Sequence, residues 1–297
     1  MMEDISSLNI NTCNYNQSKY LIGKNCEECI QVIKLNIYRK LFYIDKASGN
    51  YDEAFENLIN LQKIIEALPD KNQYYYKNKI ETNQSLALLN IKLGYNEKGL
   101  EILKKANKDI NRIKIKRDNI WYENFILQKA NILNSIGDLY MNIYEEKEKI
   151  NLSLLDSVSI YYKKSYDTVN LLQDQNLDNR AIYQLRMIDL FIEKKDYNLA
   201  LFHINRFDSV FKKNNYKNNL LLYKSEIYRY QKKFDSSIVS SKMFINHSDK
   251  ENLNTKNLIS VYNNLTNSYL AQKNNDSAIK YSNLTLTKIN ELNKKEI

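Results

Sequence analysis

The stretch VYNNLTNSYLAQKNNDSAIKYSNLTL, residues 261–286, sets a small residue, Thr266, three places before an aromatic, Tyr269. A second small residue, Ala278, follows twelve places after the first, and no proline interrupts the run. It reads as a helix, a short polar turn and a second helix. Two antiparallel helices approach to about 8 Å only where a small side chain faces a small or flat one. Leu, Ile and Tyr at spacings of three and four then fill the seam on either side. The spacing is a packing rule for one helix pair.

The rule recurs along the chain. "SEIYRYQKKFDSSI" repeats it with Ser225, Tyr228, Phe234 and Ser237, and "IDLFIEKKDYNLAL" with Phe191, Tyr197 and Ala200, Ile188 standing in for the first small residue. "GNYDEAF" supplies Gly49, Tyr51 and Ala54, and "ALLNIKLGYNEKGL" supplies Ala87, Gly94 and Gly99. "GDLYMNI" with "LDSVSIYYKKS" gives Gly137, Tyr140, Val158, Tyr162 and Ser165. One pair cannot bury its apolar face, so copies stack and each covers its neighbour. Composition agrees: 5 Gly and 1 Pro in 297 residues leave too little turn punctuation for sheets and irregular loops.

These segments resemble tetratricopeptide repeats, whose signature is this alternation of small and aromatic positions across a helix hairpin. The resemblance spans roughly residues 30–294. Second-helix small positions fall at 54, 99, 158, 200, 237 and 278, giving spacings of 45, 59, 42, 37 and 41, against a usual period of about 34 in the family. Helices a turn or so longer than usual are therefore expected, and "YEEKEKINLSLL" reads as an insert in the third unit. Lys224 stands where the family prefers Leu, and Pro69 only loosely matches the proline that often closes a unit. The resemblance implies an all-α, right-handed α-solenoid of about six antiparallel helix pairs. The units lie near 30–69, 72–117, 121–174, 178–213, 215–249 and 253–294, and residues 1–29 form an N-terminal segment or capping helix.

The resemblance also implies that the first helices line a concave wall that holds a partner segment. Residues three before and one after each first-helix small position should face it. That rule selects Arg39 and Tyr43, Gln84 and Leu88, Asn134 and Asp138, Leu185 and Asp189, Leu222 and Glu226, then Asn263 and Asn267, with Arg229 one turn on. Asparagine amides both donate to and accept from a peptide backbone. Arg39 or Arg229 could hold a carboxylate with two parallel bonds.

Other features narrow the function. The net charge of +9, 44 Lys and Arg against 35 Asp and Glu, raises nucleic acid as a partner. The mixed signs on the proposed wall argue against it, because phosphate tracking needs consistent positive charge. The densest basic run, Lys104 to Asp118, reads as a solvated helix face. No run approaches the roughly 18–20 apolar residues of a membrane span, and no signal peptide is visible, so the expected compartment is the cytoplasm, or the periplasm for an excised domain. Cys13, Cys26 and Cys29 read as incidental cysteines: the C-x-x-C of "NCEEC" suggests a disulfide or redox pair or half a zinc site, but the two Glu between its cysteines disfavour a thiolate and the further ligands of a zinc site are lacking. Glycine-rich phosphate loops, G-x-S-x-G and H-E-x-x-H are absent, so neither an enzyme nor a cofactor or metal is expected. The expected function is a scaffold that binds a protein or peptide. The alternatives are the sensor portion of a larger bacterial regulator, suggested by the ending "KINELNKKEI", and direct nucleic-acid binding.

Overall fold

In five of the hairpins one backbone turn is repeated almost atom for atom. The structure is a computed structural model and describes residues 26–68, 73–117, 121–147, 151–172, 177–210, 216–247 and 255–293. Among them are twelve helices and no strand. In chain order these are α1 (Cys26–Ser48), α2 (Tyr51–Ala67), α3 (Gln73–Lys92), α4 (Asn96–Arg112), α5 (Tyr122–Glu146) and α6 (Leu152–Val169). There follow α7 (Leu177–Glu193), α8 (Tyr197–Val210), α9 (Lys217–Tyr230), α10 (Phe234–His247), α11 (Thr255–Ala271) and α12 (Asn275–Asn293). The chain divides into two compact units, Met1–Leu172 and Gln173–Ile297. Each unit holds three hairpins. The fold is all-α, as the repeated spacing predicts.

The repeated turn closes a first helix with a residue in the left-handed region. Gly49 and Gly94 take it at φ +80° and +86°, and Lys195, Lys232 and Lys273 at φ 59°, 60° and 61°. The next residue's N–H reaches back five positions: Asn50 to the Asp45 carbonyl at 2.9 Å, Tyr95 to Asn90 at 2.8 Å, Asp196 to Phe191 at 2.8 Å, Lys233 to Tyr228 at 2.8 Å and Asn274 to Tyr269 at 2.9 Å. The left-handed residue's own N–H reaches back three, as from Lys273 to Leu270 at 3.0 Å. Together these bonds make the Schellman closure, which satisfies carbonyls that a helix end otherwise leaves orphaned. In all five cases the left-handed residue stands five before the second-helix small position, at Ala54, Gly99, Ala200, Ser237 and Ala278. Turn and packing register are therefore fixed together.

Sequence explains the individual helices. In α4 the buried residues Gly99, Leu103, Ala106 and Ile110 fall at steps of four, three and four, one stripe of a 3.6-residue helix. Its other side carries the basic run, with Lys105, Lys108 and Arg112 exposed. α2 opens on Asp52 and Glu53, which favour a helix N-terminus. It stops where Leu68 turns extended at ψ 130°, the conformation that a following proline imposes. The described parts of the insert in the third unit lengthen both helices of its hairpin. α5 runs nine residues past Gly137, whereas α11 runs five past Thr266, and α6 begins six residues before Val158.

Three cores span one hairpin and the first helix of the next, and the last spans the α11–α12 hairpin and the helices before it. Leu35, Phe42, Leu58, Leu61, Ile65 and Leu89 join α1, α2 and α3, and Ile80, Leu103, Ile110, Phe125 and Ile132 join α3, α4 and α5. In the second unit Ile188, Ile204, Phe207 and Ile227 join α7, α8 and α9, and Phe244, Val261, Leu265 and Ala278 join α10, α11 and α12. Truncating any of these leucines or isoleucines to Ala should cost roughly 2–5 kcal/mol. Pro69, Cys13 and the insert residues 148–150 lie outside the described residues, and the Cys26–Cys29 reading falls outside the described side chains.

Candidate functional site

Within each unit the first helices of neighbouring hairpins touch directly, α3 with α5 and α9 with α11. Second helices make no comparable approach to one another among the described residues. Within each unit the first helices therefore lie side by side, and the residues selected from sequence lie along them.

In the first unit, the Arg39 guanidinium of α1 donates to Asn78 Oδ1 of α3. It also stands 3.6 Å from Glu81, which is 3.8 Å from Lys77. The Lys77 ammonium lies 4.8 Å from the centre of the Trp121 ring, a cation–π contact across to α5. Burial raises the pKa of the Tyr74 hydroxyl beside this group, and the Arg39 charge offsets part of the rise. Tyr43 and Leu88 are exposed, and Gln84 is half-buried. Asp138 is committed to the fold: it accepts the Tyr162 hydroxyl at 2.7 Å and the Asn134 amide at 2.8 Å. That pair holds one edge of the Tyr162 ring against Gly137, where a Cβ would come within 2.5 Å of two ring carbons.

The second unit repeats the theme with other residues. Asp189 of α7 bonds the Tyr223 hydroxyl of α9, and Arg186 lies 3.6 Å from Asp189. Burial, then Asp189, push the Tyr223 hydroxyl well above its usual range. Glu226 stands close enough to reinforce that shift. Leu185 and Leu222 are half-buried. Arg229 of α9 donates from Nε to Asn264 Oδ1 of α11 at 2.8 Å. Its guanidinium also sits 4.2 Å from the Tyr230 ring, which stacks on Tyr197 at 5.5 Å. Asn263 and Asn267 are exposed one turn apart on α11, and no protein group engages either amide among the described residues.

Sequence reasoning missed the buried half of this arrangement. Asn264 donates to Ser225 Oγ at 2.9 Å, and Ser225 donates to the Leu222 carbonyl at 2.7 Å. Ser237 donates to the Ser225 carbonyl at 2.8 Å, and Ser268 to Ser237 Oγ at 3.1 Å. The chain of bonds ties α9, α10 and α11 together behind the exposed wall. The available signal was serine, rather than alanine, at packing positions.

Aromatic residues are largely structural. The residues three after the two small positions of a hairpin face each other: Tyr140 and Tyr161 stack at 5.7 Å, Phe191 and His203 at 5.1 Å, and Tyr269 and Tyr281 at 5.8 Å. Asp45 and Asn57 occupy the same pair of positions and hydrogen-bond at 2.7 Å. Lys104 lies over Tyr140 and Lys242 over Tyr269, each from the preceding second helix. His203 thus fills a ring position, and burial, with the Arg206 charge, lowers its pKa.

This architecture, antiparallel helix hairpins stacked within each unit and five of them sharing one turn and register, is the tetratricopeptide-like fold. Solved structures agree. The chain matches BtubC (BKLC) from P. vanneervenii at a TM-score of 0.60 and 11% identity, over 86% of this chain and 92% of that one. It matches the apo form of RapI at 0.59 and 11%, over 88% and 99%. A third match is a signal transduction ATPase with numerous domains, carrying a tetratricopeptide repeat sensor, from Pyrococcus horikoshii, at 0.55 and 15%. That match covers 91% of this chain and 43% of the other. No family model matches the chain, and no curated protein is similar to it in sequence. No helix among the described residues is long and apolar enough to cross a membrane.

Proposed function

We propose that the chain is a non-catalytic scaffold whose first-helix wall binds an extended segment of a partner protein. The observation that carries this reading is the pair Asn263 and Asn267, exposed one turn apart on α11. Asn264, between them, is anchored to Arg229 and Ser225. Two unengaged amides on a helix held by that network can accept and donate to a peptide backbone without first giving up protein bonds. Arg39 and Tyr43 with Gln84, and Asn134 with Asp138, line the first helices of the first unit, and Asp189, Glu226 and Arg229 line those of the second. Carboxylates at Glu81, Asp189 and Glu226 support a protein partner over nucleic acid, since they would repel phosphates.

Selection from a library of displayed unstructured peptides tests the proposal. Peptides enriched on the full chain should bind at least about tenfold more weakly to Asn263→Ala/Asn267→Ala, a loss of ~1.4 kcal/mol. They should bind unchanged to Val239→Ala on α10, an exposed second-helix residue. Equal binding by both variants removes this wall. The same wall would serve the sensor of a larger regulator, and reading the gene beyond Ile297 for a further module separates that role from a free-standing adaptor.

A further inference from the structure

The repeated register exposes an anomaly at α1. Two places after the first-helix small positions of α3, α5, α9 and α11 stands a buried residue. Leu89, Leu139, Ile227 and Ser268 fill it and are 1%, 1%, 0% and 0% exposed. Leu89 packs with Leu61 and Ile65 of α2, Ile227 with Ile204 and Phe207 of α8, and Ser268 bonds Ser237 of α10. Ile44 holds this position in α1 and is 59% exposed. Seven places earlier, Thr82, Ile132, Leu220 and Val261 are 0–3% exposed, while Ile37 is only half-buried. Ile33, one turn further back, is exposed as well. An isoleucine stripe thus runs along α1 where every counterpart just named is buried.

We propose that residues 1–22 of this chain cover that stripe, in the place a preceding second helix would take. The length fits. α2 and α4 are 17 residues each, and the links to their following first helices, 68–72 and 113–121, have five and nine residues. The second helices α8 and α10, 14 residues each, take 20 and 21 with their links, so a second helix with its link takes 20 to 26 residues, a length that residues 1–25 can supply. The pattern fits too, because Ile5, Leu8, Thr12 and Tyr15 fall at steps of three, four and three, one stripe in helical register. Direct tethering to α1 gives the segment an effective concentration of order millimolar. The rival occupant is the α12 face of a second copy, where Ile279 and Leu286 are 60% and 57% exposed. That contact would be head-to-tail and must compete with the tethered segment.

Thiol labelling decides between them. Ile44→Cys is placed in a chain whose Cys13, Cys26 and Cys29 are changed to Ser, with and without residues 1–22. Labelling should be at least about tenfold slower in the longer chain, at a rate independent of protein concentration. Equally fast labelling of both chains would show the stripe open and overturn the proposal. Protection that survives truncation, or grows with concentration, would assign the stripe to a second copy and also overturn it. Because truncation could loosen α1 itself, Ile5→Ser/Leu8→Ser in the longer chain provides a second route. It should speed labelling of the Ile44→Cys probe while a Leu35→Cys probe, placed at a 0% exposed site against α2, stays protected. Release of both probes together would overturn the proposal, since the segment would then act on α1 as a whole.

Discussion

All five glycines of the chain, Gly23, Gly49, Gly94, Gly99 and Gly137, lie in the first unit, and the second unit has none. Both units nevertheless make the same hairpin. The first turns on Gly49 and Gly94 and lets helices meet at Gly99 and Gly137. The second turns on Lys195, Lys232 and Lys273 and meets at Ala200, Ser225, Ser237 and Ala278, all 0–2% exposed. Hydrogen bonding and register therefore dictate the turn, and glycine is one way of filling it. Lysine there accepts a left-handed backbone that costs a residue with a Cβ roughly 1–2 kcal/mol. The serines accept close packing and convert it into a polar seam that alanine or glycine could not make.

The largest effect expected from breaking this contrast is at Gly137. Alanine normally stabilises a helix interior by about 1 kcal/mol relative to glycine. Here its Cβ would meet the Tyr162 ring at 2.5 Å, and that ring is buried and anchored to Asp138. Gly137→Ala should therefore destabilise the first unit by about 2–3 kcal/mol, read from the denaturant midpoint; a gain would show that the ring moves freely. In the second unit, Asn264→Ala should cost about 2 kcal/mol by stripping the Arg229 and Ser225 bonds. Hydrogen exchange should place that loss in α9, α10 and α11, and exchange unchanged in all three would refute the seam.

Gly49→Lys and Gly94→Lys sharpen the comparison at the turns. A Cβ at either position meets nothing within 4 Å, so each substitution should cost only the conformational ~1 kcal/mol. A much larger loss would mean that contacts, and not φ, require glycine there. The smallest effect expected is pH-dependent. His203 has a folded pKa below 6.5, through burial and then Arg206. Its contribution is therefore fully present above pH 6.5 and falls as acid protonates the unfolded chain in preference. His203→Phe should flatten that decline in the α7–α8 hairpin, and an identical pH profile would remove the histidine as its source.

Much of the hairpin was legible in sequence because packing registers as spacing. Ala54, Ala200, Ser237 and Ala278 could be aligned from residue sizes alone, and Gly49 and Gly94 marked two turns by their chemistry. Lys195, Lys232 and Lys273 gave no such mark, since nothing local distinguishes a left-handed lysine from a solvated one. The wall was legible as positions and not as chemistry. Helical register placed Asp138 and Asp189 on the first-helix layer, but their bonds to Tyr162 and Tyr223 join residues 24 and 34 places apart and come from tertiary packing. Asn264 looked equivalent to its neighbours Asn263 and Asn267, and only the helix beside it makes one buried and the others exposed.

The central claim, that one hydrogen-bonded turn sets the register of hairpins built from different residues, is tested most directly by Lys195→Gly/Lys232→Gly/Lys273→Gly. Denaturant unfolding should show the second unit stabilised by about 1 kcal/mol per turn, about 3 kcal/mol in all, with slower hydrogen exchange in α7–α12 and none of the change in α1–α6. No gain, or a loss, would mean that these lysines do not hold the left-handed turn, and the shared register would then need another cause.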